Sequence, residues 1–168
     1  PLKGSMLDES FAQKVNDYQP DLVILLDKAE VDEEFLKAVQ ADIIWIDHHE
    51  PQQTRHALYI NPRTEHTTHN IPTSILAYNI SQQDEWLALV GCVSDWQLPP
   101  QDIWNKVEEH YPDLLPLSTK DAPTALHHTP AGTLSRIFSF NLKGKMQDVL
   151  TAMKIFTRIQ DPYELLEK

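Results

Sequence analysis

Two short apolar runs in the first third of the chain each end in a carboxylate. Residues 22–26 are all aliphatic and precede Asp27, and residues 43–46 are aliphatic or aromatic and precede Asp47. Continuous runs of this length, rich in β-branched residues, are typical of strands that are covered on both faces in a parallel sheet. We therefore predict two buried strands, each with an acidic residue at its carboxyl end.

The segment between these runs has the periodicity of a helix. Residues 31–40 are predicted to form an amphipathic helix whose apolar side carries Phe35, Leu36 and Val39. The order strand, helix, strand predicts a right-handed crossover between parallel strands. Both acidic strand ends are then expected at the same edge of the sheet, where open α/β sheets place their ligands.

Two histidines follow the second of these carboxylates directly. Asp47 is succeeded by His48 and His49, and Asp27 ends the neighbouring predicted strand. Carboxylate groups favour Mn or Mg, and imidazole groups extend the choice to Mn, Fe, Co and Zn. The pattern therefore predicts a divalent metal site at this edge of the sheet.

The rest of the pattern is mainly helical. Residues 57–60 are predicted as a short third strand that Pro62 ends. Further helices are predicted around Phe11 and Val15 and over residues 72–78, 84–93, 102–110, 132–142 and 145–159. Residues 112–130 contain four prolines and are predicted as a long irregular connection with His127 and His128 exposed. The predicted fold is α/β, a parallel sheet flanked by helices with a helical carboxyl-terminal third.

Composition narrows the class of protein. The 168 residues suit a domain of ordinary size, and the formal net charge of −11 argues against a surface that grips a polyanion broadly. A single cysteine, Cys92, excludes an internal disulfide, and we expect it to be buried in a helix. No apolar run is long enough for a membrane span or signal peptide, so a cytoplasmic protein with no membrane partner is expected. The sequence leaves the oligomeric state open.

These residues carry a family resemblance. Asp47, His48 and His49 after a strand, Asp27 at the end of the preceding strand, and the later segment 91–96 are similar to the DHH phosphoesterase superfamily. That family includes RecJ-type exonucleases, oligoribonucleases, cyclic-dinucleotide phosphodiesterases and manganese pyrophosphatases. The resemblance covers roughly residues 20–110, in the family's order and spacing.

The resemblance implies a Mn-dependent hydrolase that acts on a phosphodiester or nucleotide substrate through two metal ions, with Mg or another divalent ion as the alternative. Asp27 then corresponds to the carboxylate that bridges the metals, and His48 and Asp95 to ligands of one ion. His49 corresponds to the catalytic imidazole that faces the substrate phosphate, and Asp47 supports the histidines. The resemblance also implies substrate contacts from two residues of a loop, His66 and His69. The alternative for that loop, a second metal site including Glu65, is left open.

One part of the family pattern is not found in this sequence. No His-x-x-x-Asp-x-Asp motif precedes Asp27, and the resemblance assigns the second ion to that motif. Residues 1–5 resemble a cloning remnant, so we divide the chain into this remnant, a partial DHH domain over residues 6–116, and a helical extension over residues 117–168. We expect the chain alone to bind one Mn ion and to have little or no phosphoesterase activity.

Three interpretations remain. The first is a truncated DHH phosphoesterase, which the presence of every other ligand favours. The second is a degenerate DHH domain that serves as a binding or scaffold module. The third, an unrelated metal-binding α/β domain, accounts least well for the ordered match of Asp27, Asp47, His48, His49 and Asp95. The sequence does not identify the substrate among DNA, RNA, a dinucleotide and pyrophosphate.

Overall fold

The computed structural model describes residues 7–65 and 70–166 and divides the chain into two compact units. The first unit ends at Leu76 and the second begins at Ala77. The predicted boundary after residue 116 falls inside the second unit.

The first unit contains a small parallel sheet. Its elements are α1 (Glu9–Asn16), β1 (Leu22–Leu26), α2 (Glu33–Ala38), β2 (Asp42–Ile46), β3 (Leu58–Ile60) and a 3₁₀ helix (Pro62–Thr64). Within the described residues the strand order is β1-β2-β3, and both neighbouring pairs are parallel. The prediction of two parallel strands joined through a helix, with a third strand beyond, is confirmed.

Helices α1 and α2 cover one face of this sheet. Asp32 caps α2 by accepting a hydrogen bond from the backbone N–H of Glu34, which sets where the helix begins. The core beneath consists of Ala12, Val31, Phe35, Leu36, Val39, Ile43 and Trp45. Trp45 is fully buried, and its indole N–H donates to the carbonyl of Lys28 at 3.0 Å, which ties the segment after β1 to β2.

The other face of β1 differs from the prediction of a strand covered on both faces. Leu22, Ile24 and Leu26 alternate along the strand and are each about half exposed. The difference arises because α1 and α2 both pack on the opposite face, against the side of β1 that carries Val23 and Leu25. A continuous apolar run indicates that a segment can form a buried strand. It does not indicate whether one face or both faces of that strand are covered.

In the part that the structure describes, the second unit contains helices and no strands. It contains most of α3 (Thr73–Ser81), followed by α4 (Glu85–Ser94), α5 (Gln101–His110), α6 (Ala122–His128), α7 (Pro130–Asn141), α8 (Met146–Phe156) and α9 (Tyr163–Leu166). Its fully buried large side chains include Trp86, Leu89, Val93, Ile103, Val107, Leu114, Leu115 and Leu134. The predicted helical carboxyl-terminal third is confirmed. No described helix is long and apolar enough to cross a membrane.

Helix α6 corrects the expectation of an irregular connection over residues 112–130. Asp121 caps the helix by accepting a 2.7 Å hydrogen bond from the backbone N–H of Thr124. Pro123 lies in the first turn, where backbone N–H groups have no acceptor within the helix, so the lack of an N–H on proline costs no helical hydrogen bond. The prolines therefore mark a helix start as well as a loop. His127 and His128 end the helix and are exposed, as predicted.

A tight corner joins α6 to α7. The Thr129 hydroxyl donates to the carbonyl of Ala125 at 2.6 Å and accepts from the N–H of Gly132 at 3.2 Å. A Cβ atom at Gly132 would overlap the carbonyl group of Leu126 and lie 2.6 Å from the carbonyl oxygen of Ala125. Glycine is required here because the backbone of α6 occupies the space of a side chain.

We expect Gly132→Ala to destabilise the chain, because backbone atoms of α6 must move to admit the methyl group. Overpacking costs typically about 1–3 kcal/mol, and contacts with backbone atoms place this variant at the upper end. Urea unfolding followed by circular dichroism measures the change. Ser139→Ala, in the same helix α7, is the control and should unfold close to the unmodified chain. Equal midpoints for both variants would contradict the proposed steric requirement.

An ion pair connects α4 to α5. The Nδ1 atom of His110 lies 2.7 Å from Oε1 of Glu85. Its hydrogen bond to Glu85 raises the pKa of His110 above the ordinary value of 6.5. Burial by itself would raise the pKa of Glu85, but the bond to His110 and nearby positive charge leave this pKa below its ordinary value.

Because the pKa of His110 is raised by folding, the pair stabilises the fold below about pH 6.5 and this contribution is lost as pH rises through the folded pKa. We expect Glu85→Gln to return the pKa of His110 towards its ordinary value. An NMR titration of the imidazole protons measures it. Glu109→Gln is the control, since Glu109 acts on His110 only through space. An unchanged pKa in Glu85→Gln would refute the assigned cause.

Candidate metal centre

Hydrogen bonds of the sheet extend one residue beyond each strand and bring the predicted site residues to one edge. The backbone N–H of Asp27 donates to the carbonyl of Ile46 at 3.0 Å, and the N–H of Asp47 donates to that of Ile60 at 3.1 Å. The residues after β1 and β2 are therefore held side by side at the carboxyl edge of the sheet, as the sequence pattern predicts.

Asp27 has an unusual backbone. Its φ angle is +55°, in the left-handed region that L-residues other than asparagine and aspartate seldom adopt. Strained conformations of this kind cluster at functional sites. The turn ends β1 and leaves the carboxylate 53% exposed, with Oδ1 accepting a 3.0 Å hydrogen bond from the hydroxyl of Thr73.

His48 is fixed between two polar groups. Its side chain is only 10% exposed, and Nδ1 lies 2.9 Å from Oδ1 of Asn70. Because an amide oxygen only accepts hydrogen bonds, Nδ1 carries the proton in this arrangement. The other ring nitrogen, Nε2, lies 3.4 Å from Oδ1 of Asp27. His48 therefore presents a ring nitrogen to the carboxylate at the end of the neighbouring strand.

Asp47 is a fully buried carboxylate whose oxygens face His49. Its Oδ2 accepts from the backbone N–H of His49 at 3.0 Å, and Oδ1 lies 2.8 Å from Nδ1 of the same histidine. The amide nitrogen of Asn61 donates to the carbonyl of His49 at 3.1 Å and lies 3.5 Å from Oδ2 of Asp47. With Nδ1 occupied by Asp47, Nε2 is the nitrogen of His49 that remains for a ligand or substrate.

Asp27, His48 and His49 form the candidate metal centre. One ligand atom from each lies within 4.8 Å of the other two. The set combines one carboxylate and two imidazoles, which suits Mn, Fe, Co or Zn. Unprotonated imidazole nitrogens and a carboxylate oxygen are all acceptors, so they cannot form hydrogen bonds with one another. A cation can bind all of them at once. The donor chemistry therefore fits a divalent ion. His49 lies in this group, although the resemblance places it against the substrate.

Asp95 belongs to the second unit. It caps the end of α4, and its backbone N–H donates to the carbonyl of Gly91 at 3.1 Å. The following residue, Trp96, has a φ angle of +59°, which is strained for an aromatic residue. Cys92 is buried one turn earlier, and burial raises the pKa of its thiol to about 12. The role of Asp95 as a metal ligand stays a prediction.

The remaining predicted contacts and the residues that sequence reasoning missed lie around this centre. His66 and His69 are outside the described residues. Glu65 is described as an exposed residue after the 3₁₀ helix. Asn61, Asn70 and Thr73 were not predicted to touch the site residues. Thr73 is the first residue of α3, and threonine is common at the start of a helix, so its position alone does not indicate a contact with Asp27.

No protein-family model matches this chain, and no curated protein is significantly similar to it. The geometry of the site and the resemblance of its motifs are therefore what indicate a function for this chain.

We expect Asp47→Ala to destabilise the first unit and to release the ring of His49. The substitution removes the acceptor of two hydrogen bonds at a fully buried position, and an unsatisfied buried donor costs about 1–3 kcal/mol. Urea unfolding measures the loss of stability. Glu50→Gln is the control, because this carboxylate is 83% exposed in its ion pair with Arg63 and such pairs contribute at most about 1 kcal/mol. Equal costs for the two variants would show that Asp47 does not anchor His49.

Proposed function

We propose that this chain is a DHH-type phosphoesterase domain that binds Mn and acts on a phosphodiester or nucleotide substrate. One observation carries the proposal. Asp27, His48 and His49 bring a carboxylate and two imidazoles within 4.8 Å of one another, at the carboxyl ends of two neighbouring parallel strands. This edge is where open α/β sheets bind ligands, and the residues are the ones through which the sequence resembles the DHH family.

Asp27 and His48 would hold the ion, and the resemblance adds Asp95 as a further ligand. Both residues are already fixed by neighbours, since Thr73 bonds the carboxylate and Asn70 bonds the imidazole. A divalent cation at these atoms would supply positive charge that polarises a phosphoryl oxygen and makes water more acidic. Manganese is our choice because the donor set mixes carboxylate with imidazole.

His49 is proposed to act on the substrate. Asp47 holds Nδ1 of this ring at 2.8 Å and leaves Nε2 on a side chain that is 44% exposed. In such a pair the carboxylate orients the imidazole and stabilises its positive charge when Nε2 carries a proton. A protonated Nε2 can donate to a phosphate oxygen or to a leaving oxygen. The arrangement suits hydrolysis of a phosphoester better than passive binding.

The charge of the chain favours recognition of a single phosphate group. With a net charge of −11, the protein as a whole repels a polyanion, while a bound divalent ion dominates the potential in its immediate surroundings. We therefore propose that substrate binds mainly through the phosphate at the metal centre.

The test is titration of Mn into the purified chain and into an Asp27→Ala, His48→Ala double variant. We expect the unmodified chain to bind one ion. The variant should lose more affinity than the roughly 10–100-fold caused by losing an outer hydrogen-bond partner. Electron paramagnetic resonance of free Mn measures binding, and release of nitrophenol from bis(p-nitrophenyl) phosphate measures turnover. We expect little turnover, since the sequence lacks the motif to which the resemblance assigns the second ion.

Asp42→Ala, His56→Ala is the matched control. It removes the same residue types near the opposite, amino-terminal ends of β2 and β3 and should leave Mn binding unchanged. Equal Mn binding by all three proteins would exclude the proposed centre and favour the scaffold interpretation. Strong Mn-dependent turnover that the Asp27, His48 variant loses would instead show that the present residues complete the catalytic site.

A further inference from the structure

We propose that Asn61 is a positioning residue for His49, because its side-chain amide holds the backbone carbonyl of that histidine and so fixes the turn that presents the imidazole ring. The inference rests on the proposed function, in which His49 acts on the substrate. It gives a role to the end of β3, a strand that supplies none of the three residues of the candidate metal centre.

Asn61 follows β3 in the same way that Asp47 follows β2. Ile46 and Ile60 are paired in the sheet, and the N–H of Asp47 donates to the carbonyl of Ile60 at 3.1 Å. The residues that come next on the two strands are therefore neighbours, and the amide nitrogen of Asn61 lies 3.5 Å from Oδ2 of Asp47. Asn61 is buried, so its polar atoms need partners within the protein.

The two ends of the Asn61 side chain have different partners. Its Oδ1 atom accepts a 2.9 Å hydrogen bond from the backbone N–H of Arg63, which caps the 3₁₀ helix. Its amide nitrogen donates to the hydroxyl of Tyr59 at 2.8 Å and to the carbonyl of His49 at 3.1 Å. A cap needs only an acceptor oxygen, which aspartate or serine supplies about as well. Capping therefore does not account for the amide nitrogen, whose bond to His49 is a separate role.

This bond fixes a part of His49 that Asp47 does not reach. Asp47 accepts from the backbone N–H of His49 at 3.0 Å and lies 2.8 Å from Nδ1 of the ring, so it fixes the ring and the peptide group before the histidine. The carbonyl of His49 belongs to the next peptide group, and Asn61 holds it. The histidine is thus fixed on both sides although its ring is 44% exposed. Such fixation matters because a functional group must stay within about 0.5 Å of its productive position.

Asn61→Asp separates capping from the proposed positioning. Aspartate has nearly the same shape and keeps the oxygen that caps the 3₁₀ helix, but it has no N–H to donate to His49. Asn16→Asp is the matched control, because Asn16 also donates to a backbone carbonyl, that of Ala38, and accepts from a backbone N–H, that of Gln40, each at 2.9 Å. These contacts lie just before β2, at the opposite end of that strand from His49.

The first measurement is the backbone mobility of the metal-free chain by ¹⁵N NMR relaxation. The amide of Glu50 shares a peptide group with the carbonyl of His49, so it reports directly on the contact. We expect its order parameter to fall from about 0.85, typical of rigid backbone, to below about 0.6 in Asn61→Asp and in a second variant, Asn61→Ala. It should stay unchanged in Asn16→Asp. An unchanged order parameter in the Asn61 variants would overturn the inference.

The second measurement is the binding of inorganic phosphate to the Mn-loaded chain by calorimetry. Asn61→Ala is used because it adds no charge near Asp47. We expect it to weaken phosphate binding about 10–100-fold, the usual effect of losing a group that orients a functional residue, and to weaken Mn binding less. In a His49→Ala background the same substitution should have no further effect, because Asn61 acts through His49. An equal loss in both backgrounds would overturn the inference and leave the metal centre standing.

Failure of the proposed function gives a different result. An unmodified chain that binds no Mn would refute the metal centre, and one that binds Mn but no phosphate would refute the proposed action of His49. In either case the order parameter of Glu50 would still confirm or refute that Asn61 holds this turn.

Discussion

The parallel pairing of β1 with β2 is the constraint on which the candidate site depends. In a parallel sheet the carboxyl ends of neighbouring strands lie at the same edge. Here the hydrogen bonding continues one residue beyond the strands, because the N–H of Asp27 donates to the carbonyl of Ile46. That bond places the carboxylate of one strand beside the histidines that follow the other. In antiparallel strands the same sequence would put Asp27 and His48 at opposite ends of the sheet. Helices α1 and α2 cover one face of the sheet, and the core between them and the strands supports this pairing.

Much of this arrangement could be predicted because it depends on local pattern and chain direction. The apolar runs, the intervening helix and the acidic strand ends predict the parallel sheet and the edge that carries the candidate site. The covering of β1 could not be predicted, since burial of a face depends on which elements pack there. Helix α6 was missed because proline is favoured both in loops and in the first turn of a helix. The hydrogen bond by which Asp121 caps this helix distinguishes the two cases, and it is visible only in the structure. The contacts of Asn61 and Asn70 depend on loop paths that have no periodicity, and the contact of Thr73 depends on where α3 begins.

The surroundings of the site show why its residues cannot be exchanged freely. Asp47 is an ionisable group at a fully buried position, which is costly unless its oxygens are satisfied. Its hydrogen bonds to His49 meet that requirement and at the same time orient a ring that is exposed on its other side. The backbone strain at Asp27 is a second local cost, and the ladder bond to Ile46 and the hydroxyl of Thr73 hold it in place. The contacts that stabilise this edge of the sheet are thus the same ones that orient the residues of the candidate site.

Asp27 and Asp47 look equivalent in the sequence, since each follows an apolar strand, but their surroundings in the structure differ. Both oxygens of Asp47 are directed at His49 and the side chain is fully buried, so it has no free direction from which an ion could approach. Asp27 is half exposed and faces the ring nitrogen of a second residue. Burial therefore suits Asp47 to supporting the imidazole, and exposure suits Asp27 to the proposed role of a ligand. The turns after the two strands differ as well: the backbone at Asp27 is left-handed, and the backbone N–H of His49 donates back to Oδ2 of Asp47.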